Sequence, residues 1–334
     1  MEQSLYPLRF MPLFKDKIWG GNKIKDIIGI DYSPLERCGE LWALSAIEDD
    51  ETLVENGYLA ECTLKEVIEM YADELVGEKC YDEFGENFPL LFKIIDAKDK
   101  LSVQVHPDDK MAQRKGMNNG KTELWYVIQA DRDSEIISGF NKRVTKAEVI
   151  NGLRNKNISD LLNIETTEKG DLFFMPAGRI HAIGSGVLLA EIQQSSDATY
   201  RVYDWDRKDE KGNERSLHIQ EALEALDMNA IDNSAKSHYG YSLNKTSELV
   251  STPFFTTNVL HISESLKKDY TMLDSFVVYL CIEGSGVIHS LGHEIPLSAG
   301  QALLIPAIAE ETIIQPKGLI SILFVLLSIS CYAD

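Results

Sequence analysis

The sequence predicts a mainly β protein: two β modules in tandem, each a sandwich or barrel, with a few flanking α-helices. Three observations predict it. Most apolar runs are short and bounded by Gly, Pro or polar turns, which marks sandwiches and barrels rather than a parallel α/β sheet. Only three segments carry apolar residues at helical spacing. One arrangement of strands and turns occurs twice along the chain.

The first helix opens at Thr63-Leu64-Lys65-Glu66, a capping-box pattern, and carries Leu64, Val67, Ile68, Tyr71 and Leu75 at helical spacing. Strands are expected over residues 90–95, 101–105, 123–128 and 135–138. A second capping-box pattern, Thr145-Lys146-Ala147-Glu148, opens a helix reaching about Arg154. Strands follow at 172–175 and 187–192, then a third helix through 220–226. The apolar run 319–330 is too short to cross a bilayer and is interrupted by serines, so it predicts a buried last strand.

The repeat sets the domain organisation. Residues 171–176 form an apolar strand after Gly170 and before a proline turn, and residues 301–306 repeat that shape after Gly300. Upstream, 125–128 precede a polar turn and Glu135-Ile136-Ile137, as 277–280 precede Glu283-Gly284-Ser285-Gly286 and Val287-Ile288. In the second copy Ile308 stands where Gly178 would fall, and Glu311 where His181 would fall. The expectation is a catalytic module at 1–227, a polar connecting segment at 228–251, and a C-terminal module without metal ligands at 252–334. Gly284-Ser285-Gly286 has no helix pattern after it and reads as a hairpin turn, not a phosphate loop. His289 and His293 read as surface residues.

The 334 residues carry a formal net charge of −20, which argues against nucleic acid as a partner. A small phosphorylated substrate stays open, because a pocket needs only a few well-placed cations. Five scattered cysteines with no C-x-x-C spacing predict reduced thiols rather than a disulfide framework or thiolate zinc site. The N-terminal residues lack a basic region followed by an apolar one. A cytoplasmic protein with no membrane partner is expected.

Two stretches carry the chemistry: Gln104-Val105-His106 and the run 170–181, which reads as turn, apolar strand, turn, histidine. On a strand, Ser102, Gln104 and His106 project to one face. With Glu123 between the stretches, the sequence offers two imidazoles, a carboxylate and an amide oxygen, a set that suits a divalent metal with nitrogen and oxygen ligands. Glu123 equally suits an ion pair with Lys121.

The Gly170…Pro176-x-Gly178-x-x-His181 pattern resembles the second motif of the cupin superfamily, a jelly-roll barrel. The surrounding words resemble type I mannose-6-phosphate isomerase in its short bacterial form. They are Gly39-Glu40-Leu41-Trp42, Phe88-Pro89-Leu90-Leu91-Phe92-Lys93, residues 101–109, Gly120-Lys121-Thr122-Glu123, residues 176–182 and Tyr200-Arg201-Val202-Tyr203-Asp204-Trp205. Together they span roughly residues 6–226 in order. The resemblance implies two tandem cupin barrels and one zinc ion per chain on Gln104, His106, Glu123 and His181. It implies Arg201 as catalytic arginine and Ser102, Lys121 and Glu191 as pocket residues. The spacing from His181 to Glu191 is one residue longer than in the eukaryotic members.

That family interconverts mannose 6-phosphate and fructose 6-phosphate by moving a proton between adjacent carbons of the open-chain sugar. Charge develops on oxygen, where a divalent metal stabilises an enediol(ate). The resemblance implies that Arg201 stabilises the enediolate or contacts the phosphate and binds substrate with Ser102 and Lys121, the competing reading being an ordinary surface arginine near Asp204, Asp206 and Arg207. Lys121, Glu191 and a metal-bound water are alternatives for proton transfer. Lys93 and Lys100 are further cations for the phosphate field, with ordinary strand or surface lysines as the competing reading. Two histidines and a carboxylate would also serve a cupin iron dioxygenase, and a sugar-binding cupin without turnover is the third reading. A monomer or weak homodimer is expected.

Overall fold

The computed structural model describes residues 4–208, 211–231, 236–237, 239–240 and 242–328. Both capping boxes form. Thr63 accepts from the Glu66 N–H and its own N–H donates to the Glu66 carboxylate at 2.7 Å, opening the Leu64–Val76 helix. Thr145 and Glu148 do the same for Lys146–Arg154. Each pair satisfies two amide protons that a helix start leaves orphaned. Thr63→Ala is expected to cost about 1 kcal/mol, read as a lower urea midpoint; an unmoved midpoint would show the cap to be idle. The third helix forms over Ile219–Ala225.

The strands arrange as four layers. A five-stranded sheet runs in the order Leu162–Thr166, Glu135–Phe140, His181–Ile183, Val103–Val105, Tyr200–Tyr203. It faces a seven-stranded sheet ordered Lys236–Ser237, Leu172–Met175, Glu123–Ala130, Val187–Gln194, Leu90–Ala97, Glu40–Leu44, Leu13–Lys15. Ile95, Trp125, Val127, Phe173 and Leu189 of the larger sheet close on Ile136 and Ile183 of the smaller. A second pair of sheets, seven-stranded and four-stranded, encloses Tyr279, Ile288, Leu297, Ile314 and Phe324.

The two seven-stranded sheets pack back to back. Phe92, Ile94, Leu124 and Ala190 meet Val259, Val278, Leu304 and Val325, with Leu64, Val67 and Leu75 of the first helix in the same core. Alternation explains this: Lys93 and Ile95 face one side of their strand and Phe92 and Ile94 the other, so both faces are buried and the strand is apolar but for Lys93 and Asp96.

The repeat is visible in the pairing. Phe173 lies opposite Trp125, and Leu303 opposite Tyr279. The strands that begin at His181 and at Glu311 each pair with the strand that follows the polar turn. Glu311 is exposed and pairs with Lys267, so this position carries no inward ligand in the second copy. The apolar C-terminal run forms the Ile320–Leu327 strand, central in its sheet; residues 329–330 of that run lie outside the described residues.

Two expectations change. No sheet closes into a barrel: among the described residues each module is a pair of open sheets facing across a core. The hydrogen-bond ladders stop at the sheet edges, and side-chain packing alone joins the layers. Gly284 does not turn a hairpin, because the strands on either side of it, Val277–Glu283 and Ser285–Ser290, belong to different sheets. Its φ is +78°, and a Cβ there would lie 2.2 Å from the Leu319 carbonyl oxygen, so glycine is needed at this corner. The chain also crosses between modules at its start: Leu8–Met11 joins the C-terminal sheet, with Leu8 opposite Leu304.

Candidate metal centre and active site

Strand register places the candidate residues in rows. Directly paired residues on antiparallel strands share a face. In the five-stranded sheet, Arg201, Gln104, His181 and Ser138 lie opposite one another in turn. His106 sits two residues beyond Gln104 and so on the same face. In the opposing sheet, Trp42, Lys93, Glu191, Trp125 and Phe173 form one row, and Leu91, Gln193, Glu123 and Met175 the next. The two inner faces meet, which brings Glu123 to the two histidines.

The turn between the ligand stretches is built for this. Gly178 has φ +87°, and its N–H donates to the His106 carbonyl at 3.0 Å. The Thr122 hydroxyl accepts from the Ala177 N–H at 3.3 Å, tying the Glu123 strand to the same turn.

Both imidazoles are oriented from behind. His106 Nδ1 lies 2.7 Å from the Ala198 carbonyl oxygen, and His181 Nδ1 lies 2.9 Å from that of Arg179. Each Nδ1 therefore carries the proton, and each Nε2 presents its lone pair inward. The two Nε2 atoms are 3.1 Å apart. Glu123 Oε1 lies 3.3 Å from His181 Nε2, and Oε2 lies 3.4 Å from His106 Nε2. Neither Glu123 oxygen accepts a hydrogen bond, although the residue is fully buried.

Lone pairs opposed in a dry interior are unfavourable unless a cation joins them. His106, Glu123 and His181 thus fit a divalent ion with nitrogen and oxygen preference. The Gln104 amide ends 3.5 Å from His181 Nε2, within the same cluster; its oxygen and nitrogen exchange by half a turn.

Protonation agrees with this. Burial, then the Lys121 ammonium, pushes His106 down to about 4, and burial also lowers His181. Burial alone would raise Glu123, but Lys121 and the two imidazoles hold it well below the usual carboxylate range. At neutral pH the donors are two neutral imidazoles and a carboxylate, the forms that bind metal.

The other expected residues gather nearby. Lys121 Nζ lies 3.1 Å from Glu123 Oε2; burial alone would lower this ammonium, but Glu123 and Glu191 raise it. Glu191 Oε2 accepts from the Trp125 indole N–H at 2.8 Å, while Oε1 has no hydrogen-bond partner and lies 3.3 Å from Lys93 Nζ. Arg201 donates from Nε to the Ser102 hydroxyl at 3.3 Å and from Nη1 to the Ser216 carbonyl at 2.9 Å. Burial, then Arg215, lowers its pKa. Gln104, Ser102, Lys121, Glu191 and Arg201 line one cavity of about 390 Å³.

Comparison with known proteins gives the family. The phosphomannose isomerase type I catalytic domain matches residues 8–122, and the mannose-6-phosphate isomerase cupin domain matches 245–324. The chain is 39% identical to the mannose-6-phosphate isomerase of Streptococcus mutans, over 90% of this chain and 92% of that one. It is 37% identical to mannose-6-phosphate isomerase ManA of Bacillus subtilis, over 90% and 93%. The chain belongs to the mannose-6-phosphate isomerase family. A crystal structure of the Bacillus subtilis mannose 6-phosphate isomerase superposes with a TM-score of 0.85 at 32% identity, covering 96% of this chain and 99% of that one.

Within this mannose-6-phosphate isomerase fold, the sequence reading missed part of the cavity wall. Lys15, Lys17, Glu40, Trp42 and Arg215 also line it. Lys15 and Lys93 each lie 4.8 Å from the Trp42 ring centroid, a cation–π contact that also buries their stems. The signal for Glu40 and Trp42 was present: they alternate within a word already singled out, so they share one strand face. Lys100 is exposed, lies over Trp205 and does not line the cavity, while Lys93 does. His293 is exposed and His289 half-buried, both away from the cavity. Among the described residues no helix is long and apolar enough to cross a membrane.

Proposed function

We propose that this chain is a zinc-dependent aldose–ketose isomerase interconverting D-mannose 6-phosphate and D-fructose 6-phosphate through an enediol(ate). The observation that carries the reading is the convergence of two neutral imidazoles and a buried carboxylate whose oxygens accept no hydrogen bond, beside Gln104 and Lys121, which line the polar cavity. Gln104, His106, Glu123 and His181 would hold one zinc ion per chain. When bound, it supplies a Lewis acid beside the sugar's carbonyl and neighbouring hydroxyl.

The chain's own groups do the rest. Arg201 and Ser102, already joined by a hydrogen bond, bind the sugar oxygens from the five-stranded sheet. Lys121 approaches from the opposite sheet and binds substrate beside Glu123. Glu191 is fixed by Trp125 through one oxygen, and its other oxygen accepts no hydrogen bond and faces the Lys93 ammonium at 3.3 Å, which suits an acceptor for the proton that moves between carbons. Glu191 returns that proton to the adjacent carbon, while Lys121 donates to the carbonyl oxygen and takes a proton back from the neighbouring hydroxyl. The burial of Ser102, Lys121, Glu123 and Glu191 strengthens each charge–charge contact among them.

The catalytic module is placed at residues 1–227, with a connecting segment at 228–251 and a cupin-like module without metal ligands at 252–334. The two pairs of facing sheets support this division, with Leu8–Met11 lent to the second. Free thiols at Cys38, Cys62, Cys80 and Cys281 support a cytoplasmic location. The protein works as a monomer or weak homodimer.

Elemental analysis of the purified protein is expected to find one zinc per chain, and a coupled assay to find turnover of mannose 6-phosphate that a chelator abolishes and added zinc restores. A metal-free protein turning over at the full rate overturns the reading.

A further inference from the structure

We propose that Arg215 is the residue that recognises the phosphate of the sugar phosphate, presented to the cavity by Asp204. This rests on the isomerase reading above and names the anion subsite within it.

The cavity's lysines are already matched to carboxylates. Lys15 pairs with Asp50, Lys17 lies 3.4 Å from Glu40, Lys93 lies 3.3 Å from Glu191, and Lys121 lies 3.1 Å from Glu123. The opposite rim is different. Arg201, Arg207 and Arg215 gather around a single buried carboxylate, Asp204. Asp204 accepts from Arg215 Nε at 2.7 Å and Nη2 at 2.5 Å, and from Arg207 Nη2. Arg201 has no carboxylate partner among the described residues; its donors go to a hydroxyl and a carbonyl. Three guanidiniums share Asp204, and with Asp197 of the same cavity counted against them one positive charge is still left over, in a chain whose net charge is −20. A phosphate group is a ligand that such a cluster of guanidiniums attracts.

Position selects Arg215 among the three. Arg207 sends Nη1 to the Lys100 carbonyl and does not line the cavity. Arg201 lies directly opposite Gln104, at the end where the metal ligands converge. Arg215 lines the same cavity, and the Arg201 Nη1 bond to the Ser216 carbonyl ties Arg201 to the residue that follows Arg215. A guanidinium has five N–H donors in a planar fork. Asp204 takes the edge formed by Nε and Nη2, leaving Nη1 and one Nη2 hydrogen as a second edge that matches two phosphate oxygens. An open-chain hexose with its reacting carbons at the metal ligands carries its phosphate at the other end, toward this edge. The segment that carries Asp204 is held in place, because the Trp205 indole donates to the Leu101 carbonyl at 2.7 Å.

The test uses the full-length, zinc-loaded enzyme and its Arg215→Gln and Arg215→Lys variants. Arg215→Gln is expected to raise KM for mannose 6-phosphate and Ki for inorganic phosphate by about 10- to 100-fold, the loss of one charge-assisted contact. Zinc content and kcat stay near the parent values, and Arg215→Lys recovers part of the loss. A KM and phosphate Ki that do not move overturn the proposal. So does a loss of kcat and zinc together with KM unmoved, which would mark a structural role for the Arg215–Asp204 pair. If Arg215→Gln fails to fold, the Lys variant carries the same readout, because it keeps the charge but not the fork. Calorimetric titration with inorganic phosphate separates the two levels of inference. A parent protein without turnover refutes the isomerase reading, while the difference in phosphate affinity between parent and variant still decides the role of Arg215.

Discussion

His106→Ala and His181→Ala are each expected to abolish stoichiometric zinc and to lower kcat/KM by about 1,000-fold or more, the scale of a lost Lewis acid. The geometry gives the reason. Each imidazole is locked by its Nδ1 on a backbone carbonyl, so its Nε2 faces the other Nε2 at 3.1 Å and the Glu123 carboxylate, with the Gln104 amide also 3.5 Å from that of His181. Removing one ring leaves three of the four proposed donors and widens the cage, and affinity falls with ligand number. A folding defect would mimic the loss, so zinc-dependent stability is the deciding measurement. Parent protein should melt higher with zinc added, by an amount equivalent to about 2.7 kcal/mol at 100 times Kd. Variants that keep a parental metal-free melting point but lose this zinc response have lost only the site. A variant that holds zinc at full occupancy and turns over normally would remove that histidine from the ligand set.

The site was legible in the sequence to the extent that it lies on strand alternation. Ser102, Gln104 and His106 project together because period 2 requires it, and the Pro176-x-Gly178 turn announces a tight chain reversal before His181. Both long helices were legible from their caps, since a capping box depends on four consecutive residues. What escaped depends on register between distant strands. Nothing local says that Trp42, Lys93, Glu191 and Trp125 form one row across four strands. Arg215 escaped for a related reason: it lies outside any strand, and only its bidentate bond to Asp204 carries it to the cavity. The crossing of Leu8–Met11 into the C-terminal sheet is likewise invisible locally, because an edge strand does not encode its partner.

Lys121→Met separates metal binding from proton transfer. Lys121 and Glu191 stand on the same inner face, one step from Glu123 and one row away from it, and each has a distinct partner. If Lys121 donates to the substrate oxygen as the carbon-bound proton moves, its loss should lower kcat by about 100- to 10,000-fold, the range of a missing general acid. Zinc should stay bound, because Glu123 is then shared with no ammonium and both its oxygens face the cage. Removing one member of a buried ion pair ordinarily costs about 3–5 kcal/mol through the stranded charge. Here the stranded charge is a carboxylate beside a divalent ion, so the zinc-loaded variant should be destabilised much less than the zinc-free one. That asymmetry is what a role confined to structure would not produce. Should Lys121→Met lose zinc and activity in parallel, the lysine serves to position Glu123 and the proton donor must be sought elsewhere. Should kcat fall by less than a few fold, Glu191 handles the transfer without it, and Glu191→Gln becomes the variant with the large effect.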